Sequence, residues 1–166
     1  MLSIRYSKVL LLAAIALFAS LVAFGNITDY DTNFAFVHHV FQMDTIFPDA
    51  SIKWRAIESP FIQHAGYIFI IALETLTAIL CWIGAFRLLG HVKRSGREFN
   101  RAKCLGVAGL TLGFLVWQVG FMSVGGEWFG MWMSKQWNGV PDAFRFFITI
   151  GVVLLYLVQR DDDLEA

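Results

Sequence analysis

Four long apolar blocks constrain this chain more than any other feature of its sequence. A helix needs about 20 mostly apolar residues to cross a hydrocarbon core about 30 Å thick. Blocks of about that length cover residues of about 8–25, 60–89, 104–123 and 141–159. Because the 57% hydrophobic content is gathered into these blocks, we predict an all-α membrane protein. Residues 1–166 should form a single four-transmembrane-helix domain, with short helices in the two outer loops.

The first block follows basic residues, as the apolar part of a secretory signal does. The segment Leu21–Gly25 makes a poor cleavage site, so we expect this block to remain as a span. Ser59 and Pro60 predict the start of the second span, because Ser caps helices well and Pro is tolerated in a first turn.

The basic residues are distributed unevenly between the two sides of the predicted bundle. Nine of the 13 Lys and Arg residues fall on the side that holds both termini: Arg5, Lys8, Arg87, Lys93, Arg94, Arg97, Arg101, Lys103 and Arg160. Since cytoplasmic flanks retain positive charge, both termini should be cytoplasmic. This basic surface should also contact anionic lipid headgroups. The zero net charge gives no indication of a nucleic-acid partner.

The two cysteines, Cys81 and Cys104, do not form a CxxC pair. Both fall toward the cytoplasmic ends of their spans, where a reducing compartment disfavours a disulfide. A thiol oxidase is therefore not expected.

The two outer loops should cap the bundle. In the first loop, residues 26–59, Asp31 or Thr32 can cap a short helix with a helical apolar pattern at Phe34, Val37, Val40 and Phe41. In the second loop, Trp128 and Trp132 are four residues apart and should stack along one helical turn.

This tryptophan-rich loop has two interpretations. Trp is enriched at membrane interfaces, which explains most of the pattern as an aromatic belt. The alternative is a small-ligand site, because aromatic walls with a few fixed charges are typical of such sites. Its candidate residues are Glu127, Trp128, Trp132 and Arg145.

Glu74 is the most informative polar residue, because it lies near the middle of the second span. A carboxylate at that depth is costly unless it is protonated or paired. Tyr67 shares its helical face, and His64 lies beside that face. Glu74 can be a structural group bonded to a neighbouring helix, for instance to Gln118, or part of a proton or cation path. The third interpretation is a quinone or other cofactor pocket with Glu74, Tyr67 and His64 as polar contacts.

Haem is a separate possibility, because small four-helix membrane proteins often carry it. Two histidines are then expected from facing helices, but only His64 lies in a span, with His38 and His39 in the cap. A metal site built from Glu127 and the cap histidines has no better support. We therefore predict no metal site and leave the cofactor open.

The third span carries glycines at Gly106, Gly113 and Gly120, and Gly109 completes a GxxxG with Gly113. Such a face lets another helix approach closely, either within the bundle or in a homodimer, and we favour the internal contact.

Several strings in the second half of the chain resemble a bacterial family of predicted small integral membrane proteins, a domain of unknown function. They are Trp117-Gln118, Gly125-Gly126-Glu127-Trp128-Phe129, Met131-Trp132, Ser134, Trp137-Asn138 and Ala143-Phe144-Arg145. Trp54-Arg55-Ala56-Ile57, His64 and the segment around Glu74 extend the resemblance over nearly the whole chain. It implies a four-helix protein of the bacterial inner membrane and no particular activity.

No nucleophile, metal or phosphate motif stands out, and no catalytic residue is assigned. We predict an accessory or small-ligand-binding subunit of a larger membrane assembly. The alternatives are a proton-coupled transporter or channel centred on Glu74, a haem- or quinone-binding redox subunit, and an enzyme using Glu74 or Glu127 as acid or base. The expected partners are the lipid bilayer and either other membrane subunits or a second copy.

Overall fold

The computed structural model describes residues 2–164, and among these residues no strand is present. Four helices are long and apolar enough to cross a membrane: Leu2–Thr28, Pro60–His91, Gly96–Trp128 and Val140–Val158. The prediction of an all-α membrane bundle of four long apolar helices is therefore confirmed.

The helices are named here in chain order. They are α1 (Leu2–Thr28), α2 (Tyr30–Gln42), α3 (Pro60–His91), α4 (Gly96–Ala102), α5 (Cys104–Leu115) and α6 (Val140–Val158), with a π-helical segment (Val116–Trp128) continuing α5. Short 3-10 turns occupy Lys53–Arg55 and Met131–Met133. We call the end that holds residue 2 and residue 164 the terminal end, and the opposite end the cap end.

Helix α3 is central to the bundle. It packs along α1 on one side and along α5 on the other, and α6 closes the bundle against α5 and the π-helical segment. Fully buried apolar side chains from all four long helices fill the middle: Leu12, Ala16, Leu88, Leu110, Ile150 and Leu157.

The glycine face of α5 packs against α3 within the chain. A Cβ atom on Gly84 would lie 2.5 Å from the backbone nitrogen of Gly106, and one on Gly109 would lie 2.9 Å from that of Cys81. Any side chain at these points would push the two helices apart, which supports the internal contact predicted from the glycine pattern. Gly120 differs, because a Cβ there would meet no atom within 4 Å.

The two loops at the cap end fold together around a small apolar core of their own. This core contains Val40, Met43, Ile46, Phe129 and Met131. The hydroxyls of Thr45 and Ser134 share a hydrogen bond of 2.8 Å across the two loops. The loops therefore form the cap expected from the sequence.

The first cap helix begins earlier than predicted. Helix α1 continues to Thr28, and α2 starts at Tyr30 with Asp29 as its cap position, so Asp31 and Thr32 lie inside the helix. The reason is that the backbone remains helical through the junction, where the Asp29 N–H donates to the carbonyl of Gly25 at 2.9 Å.

The predicted stacking of Trp128 and Trp132 is wrong. The π-helical segment ends at Trp128, and Gly130 adopts a left-handed conformation with φ of 66° before the next 3-10 turn. The two rings therefore point to different neighbours: Trp128 packs edge-on against Trp54, and Trp132 packs edge-on against Phe47.

A buried charge cluster ties the chain together at the terminal end. Lys8 and Lys103 each place Nζ 2.5 Å from Oδ2 of Asp161, and all three side chains are at most 7% exposed. The guanidinium of Arg5, 1% exposed, donates to the backbone carbonyls of Val92, Arg94 and Asp162. The segment after α6 therefore connects the start of α1 to the start of α5.

The two lysines determine how Asp161 titrates. Burial alone would raise the pKa of Asp161, but the hydrogen bonds and positive charges of Lys103 and Lys8 outweigh it and hold the pKa below its ordinary value. A carboxylate with a lowered pKa stabilises the fold fully above its ordinary pKa. That contribution is lost only as the pH falls through the lowered value.

We expect Asp161→Asn to destabilise the protein by about 3 kcal/mol, because two buried ammonium groups would then lack their shared carboxylate. The midpoint of thermal unfolding in mild detergent at neutral pH measures this. Asp162→Asn is the matched control, since the Asp162 side chain is exposed and only its backbone carbonyl contacts Arg5. Equal midpoints for the two variants would contradict the structural role of Asp161.

Candidate functional site

Two different faces of α3 form two candidate sites, one polar and one apolar. The polar face, turned toward α1 and α2, carries Gln63, Tyr67 and Glu74. The neighbouring face carries Gly66, Phe69, Ile70 and Leu73 and lines a cavity. Since Leu73 and Glu74 are adjacent, the two sites share one helical turn of α3.

Glu74 is 1% exposed, and its partner comes from α1. Its Oε2 accepts a hydrogen bond of 2.7 Å from Nδ2 of Asn26. The backbone carbonyl of Asn26 in turn accepts a bond of 3.3 Å from the hydroxyl of Tyr67. The expected partner Gln118 was therefore wrong, because the Glu74 face of α3 packs on α1 while Gln118 lies half-buried in the π-helical segment.

A second polar pair lies closer to the cap, at His64, and its Tyr30 ring contacts the ring of Tyr67 with centroids 4.8 Å apart. The hydroxyl of Tyr30 shares a hydrogen bond of 2.8 Å with Nδ1 of His64, and the ring of Phe34 stacks on His64 with centroids 3.9 Å apart. Burial, with the nearby Asp31 carboxylate, raises the pKa of Tyr30 above its ordinary value. The Tyr30 hydroxyl therefore keeps its proton for this hydrogen bond at neutral pH.

The network stops inside the bundle. Going from Glu74 toward the terminal end, the next hydrogen bond between α1 and α3 joins Nε1 of Trp82 to Oγ of Ser20 at 3.1 Å. Between this bond and the buried Arg5 and Lys8 of the terminal end, the core is apolar, with Ala16, Ala85 and Leu88 at most 3% exposed. The described hydrogen bonds around Glu74 thus do not cross the bundle.

Each histidine considered for haem packs against another aromatic ring. The centroid of the Phe34 ring lies 3.9 Å from that of His64 and 6.0 Å from that of His38. Trp137 stacks on His39 with centroids 4.7 Å apart. Within residues 2–164, no group of three or more His, Cys, Asp or Glu side chains is placed to hold a metal ion.

The apolar site is a cavity of about 500 Å³ between α2, α3 and the π-helical segment. Its lining side chains are all apolar, apart from glycines that have none. They are Phe36, Val37, Val40, Phe41, Gly66, Phe69, Ile70, Leu73, Leu112, Leu115, Val116, Val119, Gly120, Phe121, Val124, Gly125, Phe129 and Met131. None of the site residues predicted from the sequence is among them.

The π-helical segment forms one wall of this cavity. Helices of this kind are rare and usually last a single turn, often at functional sites, whereas this one runs for 13 residues. Gly120 and Gly125 remove side chains from the cavity wall, and a Cβ on Gly120 would meet nothing within 4 Å. These two glycines were the sequence feature that could have indicated the cavity. From the sequence we instead interpreted Gly120 as part of the face along which helices pack.

The remaining predicted site residues lie on the surface of the cap end and do not meet Glu74. Glu127 is exposed, and Trp128 is 47% exposed beside the guanidinium of Arg55, whose Cζ lies 4.7 Å from the Trp128 ring centroid. Trp132 is 46% exposed. Arg145 forms an ion pair with Asp142 on the exposed first turn of α6.

The fold and these sites define an integral membrane protein with four possible spans, a buried carboxylate and an apolar cavity near one end. The family model for predicted small integral membrane protein (DUF2165) matches residues 4–160, and the chain belongs to that family. The function of the family is unknown. Comparison with curated proteins and with solved structures found no match.

We expect a double-mutant cycle on Asn26→Leu and Glu74→Leu to give a coupling of about 0.5–1.5 kcal/mol, as hydrogen bonds between membrane helices do. Unfolding free energies in bicelles or mild detergent provide the measurement. Asn26→Leu with Thr75→Ala is the control cycle and should be additive, because Thr75 bonds only to the Ile71 carbonyl of its own helix among the described contacts. If the changes in unfolding free energy of Asn26→Leu and Glu74→Leu are additive, the hydrogen bond between the two side chains contributes nothing to stability.

Proposed function

We propose that this protein binds an apolar small molecule with a rigid or branched hydrocarbon skeleton, such as a polyprenyl chain, in the cavity beside the π-helical segment. The observation that carries the proposal is a wholly apolar lining around about 500 Å³. Sites for small molecules typically enclose about 300–1,000 Å³. This assignment is one form of the small-ligand role expected from the sequence.

Binding from a bilayer differs from binding from water. A ligand that partitions into lipid is already in hydrocarbon, so entering the cavity gains no hydrophobic free energy, and selection depends on packing. A flexible acyl chain loses more conformational freedom on ordering than a rigid or branched skeleton does. The five phenylalanines and several β-branched side chains of the lining therefore favour the stiffer molecule.

The chemistry of the lining also argues against a quinone ring as the ligand of this cavity. A quinone ring needs hydrogen-bond donors for its carbonyl oxygens, and no lining side chain supplies one. The polar candidates Glu74, Tyr67 and His64 lie on the other face of α3. The cavity therefore suits an apolar skeleton or tail better than a quinone head.

Transport of protons across the whole bundle has less support. The polar network around Glu74 ends above a core with Ala16, Ala85 and Leu88. A proton path would need polar groups or water through that region. Glu74 fits better as a group that joins α1 to α3 beside the ligand cavity.

We further propose that the protein lies in the bacterial inner membrane with both termini in the cytoplasm. Six of the basic residues at the terminal end remain exposed and support this orientation: Arg87, Lys93, Arg94, Arg97, Arg101 and Arg160. The cavity would then open toward the outer leaflet. Reporter fusions after residue 166 and within the cap loops test the orientation.

Membership of a larger membrane assembly stays a prediction from the sequence. Purification from the native host in mild detergent tests it. If the protein migrates alone on native gels, with no partner in stoichiometric amount, the assembly prediction is wrong. That result would leave the ligand-binding proposal for the cavity unaffected.

We expect Gly120→Leu to reduce photolabelling by a diazirine-bearing polyprenyl alcohol at least about tenfold, because the new side chain would project into the cavity without a clash. Purified protein in nanodiscs is labelled and the modified peptides are identified by mass spectrometry. In the wild type, label should concentrate on peptides containing the lining residues of α3 and the π-helical segment. A diazirine-bearing fatty acid should label them less.

Gly90→Leu is the matched control, since a Cβ at Gly90 also meets nothing within 4 Å and Gly90 lies outside the cavity. Its labelling should equal that of the wild type. Label spread evenly over the lipid-facing surface, or retained in Gly120→Leu, would overturn the proposal.

A further inference from the structure

A second groove lies at the terminal end of the bundle and shares no lining residue with the apolar cavity. It encloses about 920 Å³ between α4, the start of α5 and the residues that follow α6. Arg97, Arg101 and Arg160 line it, together with the apolar side chains of Val107 and Val158. Since Val107 and Val158 belong to the spans, the groove passes from the water-facing end of the bundle onto its lipid-facing side.

The structure divides the basic residues of this end into two groups. Arg5, Lys8 and Lys103 are buried and hold backbone carbonyls or the Asp161 carboxylate. Arg97, Arg101 and Arg160 are exposed, and no hydrogen bond or ion pair joins them to another described residue. These three guanidinium groups are therefore available to a ligand.

The acidic residues of the groove are mostly engaged elsewhere. Asp161 lies between Lys8 and Lys103, and Oδ1 of Asp163 accepts the backbone N–H of Gly96 at 2.5 Å. Asp162 remains as a lining carboxylate without such a contact among residues 2–164. The neutral Gly96 N–H leaves the charge of Asp163 in place, so the three exposed arginines face the two carboxylates of Asp162 and Asp163. The groove therefore keeps a net positive charge, which favours an anion.

The three arginines reach one groove from two helices. Arg97 and Arg101 are four residues apart on α4 and lie on the same helical face. Arg160 comes to the same groove from the end of α6. Guanidinium groups bind phosphate oxygens through paired N–H donors, which makes arginine suited to this chemistry.

We propose that this groove binds the phosphate of an anionic phospholipid, with the arginines around the headgroup and the first part of an acyl chain along Val107 and Val158. The continuity between a basic rim and an apolar floor favours a lipid over a free anion. The site is independent of the apolar cavity proposed above, and neither proposal depends on the other.

Native mass spectrometry of the full-length protein tests the proposal. The protein is exchanged into detergent with equal amounts of phosphatidylglycerol and phosphatidylcholine, and the bound lipids are counted. We expect the wild type to retain phosphatidylglycerol preferentially. R97Q/R101Q/R160Q should reduce that preference at least about tenfold, since each basic residue near the headgroups contributes to attraction.

R87Q/K93Q/R94Q is the matched control, because it removes three exposed charges of the same end that do not line the groove. It should keep the preference. R97K/R101K/R160K retains the charge and should show an intermediate preference, since lysine lacks the paired donors. Unchanged midpoints of thermal unfolding would establish that the exposed substitutions leave the fold intact.

Three results would overturn the inference. The wild type could show no preference for phosphatidylglycerol, or both glutamine variants could lose it equally, which would indicate diffuse attraction by surface charge. The third is displacement of the bound phosphatidylglycerol by millimolar inorganic phosphate, which would identify a site for a free anion.

Discussion

The close approach of α3 and α5 is the contact on which the rest of this structure depends. Helices in a bilayer gain no hydrophobic free energy from meeting, so their association relies on packing and on hydrogen bonds. Gly84 lets the two backbones come together, because a Cβ on it would lie 2.5 Å from the backbone nitrogen of Gly106. That contact fixes the rotation of α3. Its polar face then meets α1, and Gly66 and Leu73 face the cavity.

The sequence predicted an all-α protein with four long apolar helices, because these follow from hydropathy and helical periodicity. It also identified Glu74 as buried within the protein, since a carboxylate at that depth must avoid lipid. It did not identify the partner of Glu74. Asn26 lies close to the predicted end of the first span, at about residue 25, and only the packing of α1 along α3 brings it within 2.7 Å of Oε2.

The basic residues of the terminal end show a second limit of sequence reasoning. Counting charges treats Lys8 and Arg97 alike as markers of one side. In the folded chain Lys8 is buried against Asp161, whereas Arg97 is exposed in a groove. The difference arises because residues after α6 fold back under the bundle. No local pattern around Asp161 specifies that path. Only the tertiary structure therefore distinguishes basic residues buried in ion pairs from basic residues that are exposed.

The π-helical segment could not be predicted from the sequence, for a related reason. An apolar run with glycines has the same hydropathy whether its hydrogen bonds close after four or five residues. The π-helical segment nevertheless supplies one wall of the cavity beside α3. The cavity is also open on one side, since its lining side chains Phe69 and Val119 are 63% and 46% exposed. In a bilayer, lipid chains therefore have access to this space, and the ligand proposed for it must compete with them on the fit to the lining.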